Sequence, residues 1–114
     1  MNKVYKYPDA KSLVICGDIH GDFVPLVYEI SVRYGMHDTL VIVAGDCGFG
    51  FEKPNAYDNT FRRIEKRLVQ NNCWIAMVRG NHDDPAYFEL QADGSTLIHH
   101  ARWRTIPDYA VIQA

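Results

Sequence analysis

Three short, largely apolar runs divide this chain, and a glycine follows each run within two positions. Apolar runs of five or six residues are typical of strands buried on both faces of a parallel sheet. Amphipathic stretches separate the runs, so the order is βαβαβ, which implies parallel strands joined by right-handed crossovers. We therefore predict an α/β fold with a parallel sheet. The runs are Ser12-Leu13-Val14-Ile15-Cys16, Thr39-Leu40-Val41-Ile42-Val43-Ala44 and Cys73-Trp74-Ile75-Ala76-Met77-Val78.

The stretches between the runs have the apolar spacing of helices. We predict a first helix that Asp22 caps and Gly35 ends, and a second helix with one apolar face and one basic face. A short third helix begins at Asp84-Pro85. The segments 96–98 and 109–112 read as weaker strands. The apolar positions are Phe23, Leu26, Val27, Ile30 and Tyr34 in the first helix and Tyr57, Phe61, Ile64 and Leu68 in the second.

Length and composition restrict the class of protein. The 114 residues fit one domain, and the net charge of −2 provides no basic surface for nucleic acid. No apolar run approaches the ~20 residues that span a membrane, and nothing at the N-terminus resembles a signal peptide. The three cysteines are widely spaced, which favours reduced thiols and a cytoplasmic location.

Side chains that can bind metal ions follow all three predicted strands. The segments are Gly17-Asp18-Ile19-His20-Gly21-Asp22, Gly45-Asp46-Cys47-Gly48 and Gly80-Asn81-His82-Asp83-Asp84. The carboxyl ends of parallel strands meet at one edge of a sheet, where open α/β sheets bind their ligands. A glycine-aspartate pair alone is usually only a turn. Three such segments, one after each of three consecutive predicted strands, are a much stronger signal.

The types of these residues predict a site for two divalent metal ions. Asp18 and His20 are two residues apart, so on an extended chain they point to the same side and can share one ion. Asp46 has two carboxylate oxygens and can bridge two ions, and Asn81 offers an amide oxygen to the second. This mixed set suits manganese, iron, zinc or magnesium without choosing among them.

The three segments resemble the first three signature blocks of the calcineurin-like metallophosphoesterase superfamily. The blocks are Asp18-Ile19-His20-Gly21, Gly45-Asp46 and Gly80-Asn81-His82-Asp83, and the resemblance covers about residues 12 to 84. It implies metal-dependent hydrolysis of phosphate esters by a hydroxide that bridges two metals. It also implies that the sheet is the first half of a two-sheet α/β/β/α sandwich.

The resemblance also implies roles for single residues. Asp18, His20 and Asp46 would bind the first metal, and Asp46 and Asn81 the second. His82 would be the acid near the leaving group. Arg79 occupies a position where protein-phosphatase-like members also carry arginine, although a surface ion pair with Asp83 or Asp84 explains it equally well.

This chain departs from the family pattern at two places. Protein serine/threonine phosphatases continue the second block with Asp-Arg-Gly, whereas Gly48-Phe49-Gly50-Phe51 follows here. The carboxylate that would orient His82 is therefore missing, together with a phosphate-binding arginine. The family also completes its metal shells with later histidines. His99 and His100 come too soon for that role, and we expect them to be a partly exposed pair near a strand end. We expect His37 to be a surface residue in a turn.

Three classes of function follow. The first is a phosphatase that acts on a phosphoprotein or on a small phosphoester or nucleotide. The second is a truncated, non-catalytic metal-binding or assembly module of the same fold. For both classes we expect residues 1–114 to be one domain, an N-terminal fragment of a metallophosphoesterase domain, whose exposed face would drive self-association. The third, a nucleotide-binding domain, is disfavoured because no glycine-rich phosphate loop follows any strand.

Overall fold

The structure is a computed structural model that describes residues 3–50 and 52–114. Met1, Asn2 and Phe51, the last residue of the segment that replaces Asp-Arg-Gly, lie outside these ranges. The main sheet has four parallel strands in the order β2-β3-β4-β5. Their bounds are Ser12–Cys16 for β2, Thr39–Ala44 for β3, Trp74–Val78 for β4 and Trp103–Ile106 for β5. The predicted α/β fold and its parallel βαβαβ core are confirmed.

Two helices cover one face of this sheet. Helix α1 spans Phe23–Tyr28 and continues as a π-helical turn over Glu29–Arg33, and α2 spans Pro54–Gln70. The Ser31 hydroxyl donates to the Val27 carbonyl (2.6 Å), a bond that competes with the regular helical pattern. The apolar residues predicted for both helices are buried here against β3 and β4, except Leu26, which is half-buried, and Tyr34, which is exposed.

Capping is confirmed for one of the two predicted helix caps. Asp22 occupies the N-cap position of α1, but its side chain makes no capping hydrogen bond. Its backbone carbonyl accepts the first helical hydrogen bond, from the Leu26 N–H (3.3 Å). Asp84 caps a 3₁₀ turn, Pro85–Phe88, by accepting from the Ala86 backbone N–H (3.0 Å). The predicted third helix is therefore a single short turn.

A small second layer covers part of the other face of the sheet. Strands β1 (Val4–Lys6) and β6 (Val111–Gln113) pair in parallel. Tyr5 from β1 packs with Leu40, Ala76 and Ile106 of the main sheet. The weak strand predicted over 109–112 is confirmed with a shifted start, whereas the one over 96–98 is wrong. The Thr96 hydroxyl donates to the carbonyls of Ile98 and Thr105, so that segment is a bend in which Thr96 and Ile98 are buried and Leu97 is exposed.

The prediction that β2 is buried on both faces is wrong. Strand β2 is an edge strand, and the β1–β6 layer does not cover it. Leu13 is 51% exposed and Ile15 is 65% exposed. Both side chains lie on the face opposite the helices, in register with Leu40 and Ile42 of β3. The described part of the molecule therefore presents an apolar surface at this edge.

None of the helices within residues 3–50 and 52–114 has both the length and the apolar character that a membrane crossing requires.

Candidate metal site at the carboxyl edge of the sheet

Three loops that follow β2, β3 and β4 lie side by side at the carboxyl edge of the sheet. We call them loop A (17–22), loop B (45–50) and loop C (79–84). Loops A and B are joined by backbone hydrogen bonds from His20 N to Asp46 O (3.1 Å) and from Gly21 N to Cys47 O (2.6 Å). The carboxyl ends of parallel strands lie at the same edge of a sheet, so the three loops meet there as the sequence predicted.

Two glycines allow these loops to approach each other closely. A Cβ atom on Gly80 of loop C would lie 2.1 Å from the backbone nitrogen of Asp46 in loop B. A Cβ atom on Gly48 would lie 2.4 Å from the backbone nitrogen of Gly21 in loop A. Both clashes are with backbone, which cannot move aside as a flexible side chain can. Glycine is therefore required at both positions by the packing of the loops.

The three side chains predicted to bind the first metal all stand on left-handed backbone. The φ angles are 55° at Asp18, 48° at His20 and 47° at Asp46. Asp and His tolerate this region better than most residues, but it still carries strain, and strain of this kind concentrates at functional sites. The assumption of an extended chain between Asp18 and His20 is wrong, so the argument that they point to the same side does not hold.

Asp46 is the most strongly engaged of the predicted ligands. Its Oδ1 accepts from the backbone N–H of His82 (3.1 Å), and the His82 ring Nδ1 lies 3.3 Å from the same oxygen. These bonds, the backbone one first, hold the pKa of Asp46 below its usual range against an opposing effect of burial. A side-chain hydrogen bond with Asp18 also lowers the pKa. Asp46 therefore connects loop A with loop C.

The remaining predicted ligands are less constrained. Asp18, His20 and Asn81 are exposed. Within residues 3–50 and 52–114, no three His, Cys, Asp or Glu side chains are grouped closely enough to hold a metal ion. The structure thus brings Asp46 together with Asp18 and with His82, but does not gather the full predicted set around one point.

The donor chemistry at this edge nevertheless fits a divalent cation. Asp18 and Asp46 place two carboxyl groups on adjoining loops, and a divalent cation between them would offset their repulsion. His20 and Asn81 add an imidazole and an amide oxygen on loops that pack directly against Asp46. These are ligand types that manganese, iron, zinc and magnesium sites use.

Arg79 forms an ion pair, but not with the residues that the sequence offered. Its Nη2 donates to Asp108 Oδ2 (2.7 Å) and its Nε to Oδ1 (3.3 Å), in the turn before β6. This bidentate contact raises the pKa of the guanidinium. Asp83 and Asp84 are occupied elsewhere, so the expected pairing with either of them is wrong.

Sequence reasoning missed the residues that fix loop B. Phe49 is fully buried and packs against the rings of Phe23, Tyr57 and Tyr87. The Tyr57 hydroxyl donates to the Gly48 carbonyl (2.7 Å) and accepts from the Glu52 N–H (3.2 Å). An isolated aromatic between two glycines gives no periodic signal, so nothing in the sequence distinguished Phe49 from a surface loop residue.

Cys47, His37, His99 and His100 have packing or surface positions and do not join the three loops' candidate ligands. Burial raises the pKa of the Cys47 thiol far above its usual range, which suits a packed spacer and not a nucleophile. His37 and His99 are exposed. His100 stacks on Trp103, with ring centroids 3.7 Å apart, at the amino-terminal end of β5 and so at the opposite end of the strands from the three loops.

Comparison with known proteins identifies the family. The family model for calcineurin-like phosphoesterases matches residues 11–111, and the chain belongs to that family. The matched range includes all three loops and the whole of the four-stranded sheet. Comparison with curated proteins gave no match, and comparison with solved structures gave none either.

Proposed function

We infer that this chain is a metallophosphoesterase that hydrolyses phosphate esters at the carboxyl edge of its parallel sheet, with two divalent metal ions. The observation that carries this is the contact of loops A, B and C at one edge, where the backbone of Asp46 packs against Gly80 and its side chain bonds His82. Membership of the calcineurin-like phosphoesterase family supports the reaction class.

Each predicted residue has a role in this proposal. Asp18, His20 and Asp46 bind the first metal, and Asp46 and Asn81 bind the second, with manganese, iron, zinc and magnesium all compatible. When bound, such a metal pair lowers the pKa of a water molecule and offsets charge on the phosphoryl oxygens.

His82 is the proposed acid for the leaving group. The His82 side chain is 71% exposed and the Asp46 side chain is 20% exposed. Asp46 Oδ1 accepts from the His82 backbone N–H and also contacts the His82 ring Nδ1. With Nδ1 directed to Asp46, Nε2 is the atom that can pass a proton to the leaving oxygen. Asp46 can therefore orient His82 in place of the carboxylate that is missing from the Gly48-Phe49-Gly50-Phe51 segment. General acid catalysis of this kind contributes ~10²- to 10⁴-fold.

Arg79 is the proposed phosphate-binding side chain. It follows β4 directly and precedes Asn81 by two residues. Its contact with Asp108 is exposed on both sides, and exposed ion pairs exchange partners readily. An incoming phosphate dianion would compete with Asp108 for the planar guanidinium, which binds carboxylate and phosphate with the same geometry. The substrate is a phosphoprotein or a small phosphoester or nucleotide.

The test is manganese-dependent hydrolysis of p-nitrophenyl phosphate by the wild type and by Asp46→Asn. We expect activity in the wild type and a loss of roughly 100-fold or more in the variant, because the bridging carboxylate is gone. Asp9→Asn, an exposed carboxylate away from the three loops, removes the same charge and should retain activity. Equal rates for wild type and Asp46→Asn would contradict the proposal.

A second candidate is a non-catalytic metal-binding or assembly module of the same fold, formed by a fragment of the domain. The apolar surface around Leu13 and Ile15 favours it, since an exposed apolar edge strand is a template for association. We propose that copies of this chain associate through that surface. Manganese binding without turnover, together with self-association, would support this candidate over the enzyme.

A cytoplasmic location is part of the proposal. Cys16, Cys47 and Cys73 are all free thiols, and burial raises the pKa of each. Free thiols in this number are typical of a reducing compartment.

A further inference from the structure

A buried carboxylate joins loop B to loop C. Asp83 is only 4% exposed. Its Oδ1 accepts from the backbone N–H groups of Gly48 (2.8 Å) and Phe49 (3.0 Å). Its Oδ2 accepts from those of Cys47 (3.1 Å) and Gly80 (2.9 Å). One side chain thus accepts from three consecutive backbone amides of loop B and from the Gly80 amide of loop C.

The chemistry of this contact requires a carboxylate. All four partners are donors, and an ionised carboxyl group offers only acceptors. Among the described residues Asp83 forms no ion pair, so its charge is offset chiefly by these four amide dipoles. An amide in the same place would turn an NH₂ group toward two N–H donors. A solvent-exposed charge or a simple turn residue would not be buried in this way. Burying a charge is costly unless hydrogen bonds such as these offset it.

The position of the contact gives it a functional meaning. Asp83 follows His82, and the amides that it binds begin directly after Asp46. A backbone hydrogen bond from Asp84 N to Phe49 O (3.0 Å) joins the same two loops. The bond from His82 N to Asp46 Oδ1 therefore spans two loops whose separation is set by Asp83.

We propose that Asp83 is a positioning residue that fixes the Asp46 carboxylate relative to Asn81 and His82. It does not bind metal or substrate itself, because its oxygens are buried and fully used by backbone amides. This inference rests on the proposed function. It adds the residue that holds Asp46 of loop B and Asn81 of loop C, the two proposed ligands of the second metal, in place before the metal binds.

The test compares Asp83→Asn with Asp84→Asn, two neighbouring substitutions that remove one negative charge each. Asp84 is exposed and receives a single amide, that of Ala86. Mn²⁺ affinity is measured by titration calorimetry, and amide hydrogen exchange is measured by NMR in the metal-free protein. We expect Asp83→Asn to weaken Mn²⁺ binding by about 10- to 100-fold and Asp84→Asn to change it little.

Amide exchange separates positioning from folding. In the wild type, the amides of Gly48, Phe49 and Gly80 should be protected although they lie in loops. In Asp83→Asn these amides should exchange faster while β3 and β4 keep their protection. Unprotected loop amides in the wild type, unchanged Mn²⁺ affinity in the variant, or protection lost equally in loops and strands would each overturn the inference.

The two proposals fail differently. A wild type that binds no Mn²⁺ would remove the proposed metal site and, with it, the positioning role of Asp83. Mn²⁺ binding that depends on Asp46 but is indifferent to Asp83→Asn would leave the proposed function standing and overturn only the inference about Asp83.

Discussion

Left-handed backbone at Asp18, His20 and Asp46 is a cost that the surrounding loops must offset. Non-glycine residues in this region store about 1–3 kcal/mol each, and such strain persists only where neighbouring structure holds it in place. The backbone bonds between loops A and B and the close contact at Gly80 provide that constraint. At the residue scale, backbone contacts between the loops act together with the Asp46 and Asp83 carboxylates to hold the site.

Gly80→Ala tests this constraint. The new methyl group would lie 2.1 Å from Asp46 N and 2.6 Å from Asp46 Oδ1, so the two loops would have to separate. We expect a loss of about 1–3 kcal/mol in the free energy of unfolding, measured by urea denaturation, because overpacking against backbone is poorly relieved. The loss should be accompanied by weaker Mn²⁺ binding.

Gly35→Ala is the matched control. Gly35 also has a positive φ (57°), but a Cβ atom there meets nothing within 4 Å. It should cost only the backbone strain, about 1–2 kcal/mol, and leave Mn²⁺ affinity unchanged. If Gly80→Ala left both stability and metal affinity as they are in the wild type, the close approach of the loops would be wrong.

At the scale of elements, local patterns predicted the central units and non-local contacts decided the rest. β3 is a continuous apolar run and α2 has clear apolar periodicity, and both were found where expected. β5 was missed because Trp103–Ile106 is four residues long and contains Arg104; only its pairing with β4 makes it a strand. The wrong strand over 96–98 has two buried residues, Thr96 and Ile98, whose burial comes from a turn packed against Thr105.

The same reasoning explains what the sequence could predict of the candidate site. Loops A, B and C were predicted to meet because strand order alone determines it. The role of Asp83 could not be predicted, since its four partners are backbone amides, which every residue but proline carries. The Asp108 partner of Arg79 lies 29 residues away along the chain, beyond any local pattern.

At the scale of elements, the testable prediction concerns self-association through strand β2. Ile15→Lys places a charge on the exposed apolar surface, where Ile15 is 65% exposed. We expect reduced self-association in sedimentation velocity at high protein concentration, with stability changed by no more than about 0.5 kcal/mol.

Val69→Lys is the comparison for this experiment. Val69 is 51% exposed on α2, on the opposite side of the sheet, and its replacement should leave association as in the wild type. A wild-type chain that sediments as a clean monomer at high concentration would contradict the proposed association.

At the scale of the whole molecule, the architecture separates two regions. The helices and the main sheet form a continuous core, and the β1–β6 layer adds a second, smaller cluster on the other face. The proposed ligands Asp18, His20 and Asn81 and the apolar surface of β2 are exposed outside these clusters, whereas loop B is anchored in the core by Cys47 and Phe49. The chain thus combines a rigid α/β scaffold with a polar edge suited to metal ions and an apolar edge suited to association.

The most direct test of the central claim is paramagnetic line broadening by substoichiometric Mn²⁺ in NMR spectra of the labelled protein. The proposed site predicts that amides of loops A, B and C broaden together, and that those of residues 99–100 do not. In Asp46→Asn the selective broadening should disappear. Broadening that scattered over separate surface carboxylates, or that affected one of the three loops alone, would contradict a shared metal site.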